Sequence, residues 1–130
     1  MNTLQIHKVL TKHVKYFQGV YPFDLLASTC INPSIIVINL DKHNMPGSHW
    51  VAVCFSESAY AEYFDSYRLP RFQIEIIAYL QRHSNSWTFN GHHLKGLKSN
   101  ICGHNCCLYV NQRVNGLTMT SFVNMFLTAR

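Results

Sequence analysis

Three apolar runs crowd the middle of the chain: SIIVINL (34–40), HWVAVCF (49–55) and AEYFDSY (61–67). They constrain the fold more than any other feature. All are rich in β-branched and aromatic residues, which suit a pleated surface. The first holds four consecutive β-branched residues, Ile35–Ile38, as expected of a strand buried on both faces. Turn-forming DKHNMPG separates the first two, and the short ESAY separates the second from the third, which predicts a hairpin over 49–67. A sheet made here needs helices to cover it.

Helical periodicity supplies them. Residues 3–18 read as a helix with Thr3 as a cap and Ile6, Leu10, Val14 and Phe17 on one face, ended by Gly19 and Pro22. GVYPFDLL then reads as a loop. Residues 71–83 form a second helix with Phe72, Ile76, Ile77 and Leu80 as its apolar stripe. WTFN (87–90) is a short strand, and residues 91–100 form a polar loop. A helix follows from Cys102 to about Val114, ended by Gly116, and a last one starts at Thr120 with Phe122, Met125 and Phe126. The expected class is α+β: a small antiparallel sheet flanked by helices, in a single domain over residues 1–130.

No apolar run approaches the roughly 20 residues of a membrane span, so no membrane partner is expected. The N-terminus MNTLQIHKVL lacks the pattern of a secretory leader. The expected compartment is therefore reducing and intracellular, with no secretion. Five cysteines are an odd number, which rules out a complete intrachain disulfide set. Nothing in the sequence demands an oligomer, and a monomer is expected. Eleven basic residues against six acidic ones give a net charge of +5. That balance fits either a polyanion nearby, such as DNA, or a soluble basic surface. Lys8, Lys12 and Lys15 have the spacing of one helical stripe.

NICGHNCCLYV (100–110) carries three of the cysteines. Zinc is disfavoured there, because no second pair of ligands with the usual spacing follows, although His92 and His93 lie upstream. Cys106, Cys107, Cys54 and Cys30 read as small buried thiols. Cys102 differs, because it stands before Gly103 where a loop becomes a helix. Unpaired backbone N–H groups and the positive end of the helix dipole favour a thiolate there, and the same N–H groups can hold an oxyanion. Gly103 admits another backbone closely. Such a nucleophile needs a base and the base an orienting group. His49, opening its strand after a Gly-Ser turn, is the candidate base. Asp65, at the end of the paired strand, is the candidate orienter. Each also has an ordinary structural role, as a strand-end histidine and a turn former.

PGSHWVAVCF, EYFDSYRLP and SNICGHNCCLYV, in that order, resemble the adenovirus-type cysteine protease (adenain) family, in particular its Polinton/Maverick and adintovirus branch. FQGVYPFDLL and WTFN share in the likeness, which spans roughly residues 17–126. The resemblance implies a papain-related fold, His49 as general base and acid, Asp65 as its orienter and Cys102 as nucleophile. Trp50 matches the family's tryptophan after the histidine and also suits core packing. The implied activity is cleavage of virion precursor polypeptides after glycine-containing motifs, in the virion or host nucleus. The implied chemistry requires no cofactor or metal. A capsid-protein peptide and DNA are implied as activators.

Two residues depart from the family pattern. Lys95 stands nearest the position of a glutamine that helps to hold the oxyanion; a lysine there replaces the amide, spoils the site or faces solvent. Arg68 stands where the branch usually has glycine. The alternatives are a degenerate, non-catalytic binding module of the same fold and a protease that removes ubiquitin-like modifiers. A nucleic-acid-binding protein with incidental cysteines is a further rival.

Overall fold

A computed structural model describes residues 3–26, 31–40, 49–65, 74–89, 102–119, 121, 122 and 124, without the side chains of 102–104. The elements run α1 (Thr3–His13), β1 (Phe17–Pro22), a short 3₁₀ turn (Phe23–Leu25), β2 (Ser34–Asn39), β3 (Trp50–Phe55), β4 (Tyr60–Phe64), α2 (Ile74–His83), β5 (Ser86–Phe89) and α3 (Cys102–Val114). The strands form one sheet in the order β1-β2-β3-β4-β5.

The centre of the sheet is antiparallel as expected, with Ile36 opposite Val53 in β2–β3 and Val53 opposite Tyr63 in β3–β4. Its two edges are parallel pairs, β1–β2 and β4–β5, so the sheet as a whole is mixed. Parallel neighbours need a crossover. α2 supplies it between β4 and β5, and the stretch containing the 3₁₀ turn joins β1 to β2. One consequence positions the rest of the molecule. β1, β2, β4 and β5 all finish at the end of the sheet where β3 begins, so His49 and Asp65 arrive at the same end.

Side chains alternate across the sheet, and each face is covered. On one side Val37, Trp50, Ala52 and Phe64 meet Ile6 and Leu10 of α1 and Cys106, Tyr109 and Val110 of α3. On the other, Ile36, Ile38, Val51, Val53 and Tyr63 meet Phe23 and the stripe Ile76, Tyr79 and Leu80 of α2. β2 is buried along its whole length, as its continuous β-branched run predicted, with Ser34 and Asn39 buried at its ends. An aromatic trio fastens α3 to the sheet: Phe64 stacks on Tyr109 at 4.3 Å between centroids, and Phe122 meets both edge-on at 5.5 Å. Such pairs contribute about 0.5–1.5 kcal/mol each beyond area burial.

Two sequence expectations need correction. The first helix ends at His13 instead of continuing to residue 18, and Phe17–Pro22 form a strand where a helix end and a loop were expected. The last helical hydrogen bond runs from Val14 N–H to the Leu10 carbonyl, 2.8 Å, and the Tyr16 carbonyl instead accepts from Ile35 N–H of β2, 3.0 Å. Gly19 helps to explain the switch. Its φ of +137° is one that side-chain-bearing residues rarely adopt, and a Cβ there would come within 3.3 Å of the Tyr21 ring.

The final turn is the second correction. Thr118 begins it, with its hydroxyl accepting from Ser121 N–H at 3.1 Å and its carbonyl from Phe122 N–H at 2.9 Å. Thr120, Met125 and Phe126 lie outside the described residues. Among the described residues no helix is long and apolar enough to cross a membrane.

Candidate active site

His49 sits one residue before β3, and its carbonyl extends the β2–β3 ladder by accepting from Leu40 N–H at 2.8 Å. Asp65 sits one residue after β4 and is buried. The hairpin that joins these strands brings the two side chains together: His49 Nε2 lies 3.0 Å from Asp65 Oδ1. An ionised carboxylate only accepts hydrogen bonds. With Asp65 ionised, a neutral His49 donates from Nε2 and keeps its lone pair on Nδ1.

Trp50, the next residue along the chain, is buried and held at both ends. Its indole N–H donates to Thr3 Oγ1 at 3.3 Å, and its carbonyl accepts from the Cys106 thiol at 3.1 Å. The second contact fixes α3 against the start of β3. Cys102 begins α3 and precedes Cys106 by four residues, so its backbone lies one turn, about 5–6 Å, farther toward the His49 end. The other end of α3 is tied as well: Arg113 Nε donates to Glu62 Oε1 of β4 at 2.7 Å. From Cys102 to Arg113 the helix rises about 17 Å. β3 rises about the same from His49 to Cys54. Helix and strand thus run side by side in the same direction, with the helix N-terminus at the His49–Asp65 end.

The first turn of α3, with Gly103, contains no acidic residue. Its backbone N–H groups have no intrahelical acceptors and carry the positive end of the helix dipole, a setting that favours a thiolate or an oxyanion. Lys95, Arg68, His92, His93 and Cys30 lie outside the described residues.

The other thiols are in different surroundings. Cys106 is buried, and Cys107 and Cys54 are partly buried. Burial pushes the Cys107 thiol up. Burial, with the Glu62 carboxylate second, pushes Cys54 up to about 12. Burial first, and the Asp65 charge after it, raise the Tyr63 phenol and keep it protonated beside the site. Sequence reasoning missed the cluster of Glu62, Tyr109 and Arg113. Its only local signal is the four-residue spacing of Tyr109 and Arg113, which puts them on one helix face.

No protein-family model matches the chain, and neither does any curated protein. Solved structures do. The crystal structure of ASFV pS273R protease is similar over 93% of this chain and 57% of that one, with a TM-score of 0.61 and 16% identity. A selenomethionine crystal structure of the same protease is similar over 68% of this chain and 38% of that one, with a TM-score of 0.54 and 20% identity. The chain shares the α+β fold of that protease and spans somewhat more than half its length at most.

Proposed function

We propose that the chain is a cysteine endopeptidase with Cys102 as nucleophile, His49 as general base and acid, and Asp65 as the group that orients His49. The observation that carries this reading is the 3.0 Å contact between His49 and Asp65 at the end of the sheet where α3 begins with Cys102. The fold shared with ASFV pS273R protease and the motif resemblance support it.

Asp65 holds the proton on Nε2, so Nδ1 takes the Cys102 proton or already holds it in a thiolate–imidazolium pair. The thiolate attacks a peptide carbonyl, and the developing oxyanion is held by the N–H of Cys102 with Gly103 or Lys95. His49 then gives its proton to the leaving amine, and the acylated cysteine is released by water, with His49 again as base. Trp50 anchors the start of the strand that carries His49. By the motif resemblance to the Polinton/Maverick and adintovirus branch, the substrates are virion precursors cut after glycine-containing motifs, in the virion or host nucleus. A capsid-derived peptide and DNA are the proposed activators.

The test incubates the protein with glycine-motif peptides and with ubiquitin-like fusions, with and without DNA, beside Cys102→Ala. Cleavage of the peptides by the wild type alone supports the reading. Preference for the fusions moves it to a deconjugating protease. Cleavage by Cys102→Ala rules out the assigned nucleophile, and no cleavage by any form under any condition favours a non-catalytic module.

A further inference from the structure

At the end of the sheet remote from His49, a pocket of about 240 Å³ opens between β2, β3, β4 and the last turn of α3. It lies about 17 Å along β3 from His49. Ile35 and Pro33 form apolar wall, and the exposed side chains of Tyr60 and Val114 flank the mouth. An apolar cavity of about 150 Å³ holds benzene; this one has room for a bicyclic ring.

The polar side of the pocket is specific. Glu62 Oε1 accepts from the Tyr109 hydroxyl and from Arg113 Nε, and Oε2 accepts from Arg113 Nη2 at 3.1 Å. A carboxylate offers about four acceptor positions. Among the described residues three are occupied, and the fourth is on Oε2. Arg113 also neutralises the Glu62 charge, so the wall presents an acceptor without net charge. Neighbouring Cys54 is held as a neutral thiol, which suits non-covalent binding.

We propose that this pocket binds a neutral aromatic group bearing one hydrogen-bond donor, of the phenol or indole class. Its ring lies against Ile35, Pro33, Tyr60 and Val114, and its O–H or N–H donates to Glu62 Oε2. The site is independent of the protease reading, and its test needs no turnover.

The test is an amide NMR titration of the full chain with indole and, separately, with N-methylindole, which keeps the ring and loses the donor. Saturable shifts at Ile35, Cys54, Tyr60 and Val114 are expected with indole, with N-methylindole at least about tenfold weaker, the effect of one lost hydrogen bond. Val114→Phe, at an exposed helix end, narrows the mouth and should abolish binding while the remaining spectrum stays unchanged. Absence of saturable shifts, equal affinity for the two ligands, or unchanged binding by Val114→Phe would overturn the proposal. N-acetyltryptophanamide separates the sources of the group: binding assigns the side chain of a polypeptide, and binding of indole alone assigns a free small molecule.

Discussion

Glu62→Gln tests whether the far end of α3 is held by charge. Gln keeps the shape and an acceptor for the Tyr109 hydroxyl but removes the ionic partner of Arg113. The side chains of Arg113 and Glu62 are 28% and 14% exposed. That places the pair between exposed pairs, worth about 0–1 kcal/mol, and buried ones, whose breakage costs about 3–5 kcal/mol. A loss of about 2 kcal/mol follows. Unfolding entropy of about 2.1 cal/mol/K per residue gives roughly 270 cal/mol/K for a chain of this length. The expected fall in Tm is therefore about 7 °C. Calorimetry of Glu62→Gln, Arg113→Met and the double variant gives the coupling, expected at about 1–2 kcal/mol. Additive losses, or a Tm within about 1 °C of wild type, would refute the argument that the pair clamps α3 to β4.

Phe122→Ala removes the edge-on member of the aromatic trio and should cost about 3–5 kcal/mol, measured by urea unfolding. Ala59 has a φ of 62° in the β3–β4 turn, so Ala59→Gly should stabilise the protein by about 0.5–1 kcal/mol in the same assay. Cys54, Tyr63 and Tyr109 all have raised folded-state pKa values. Their stabilising effect is complete below the unfolded pKa and is lost as pH rises, so stability should begin to fall above about pH 9, through the range of Cys54 near 12. Equilibrium unfolding between about pH 7 and pH 11 checks this.

The meeting of His49 and Asp65 in the candidate site was legible because it depends on local pattern. Two apolar runs joined by ESAY make a hairpin, and a hairpin brings residues at its open end together, so His49 and Asp65 meet. The helix from Cys102 was legible from the polar stretch before it and Gly116 after it. β1 was hidden because its apolar positions continue the face of α1, and its pairing partner is remote. Glu62 and Arg113 were illegible for a different reason: they are 51 residues apart, and each reads alone as an ordinary surface charge. Parallel pairing at the sheet edges was likewise hidden, because short apolar runs do not encode strand direction.

The most direct test of the central claim is the reactivity of Cys102. The protein and His49→Ala are titrated with iodoacetamide across pH, and the adducts are located by mass spectrometry. The account predicts selective alkylation of Cys102 below about pH 7, lost in His49→Ala, with Cys54 unreactive throughout that range. A Cys102 that reacts only like an ordinary thiol near pKa ~8.5, and equally in His49→Ala, would contradict it.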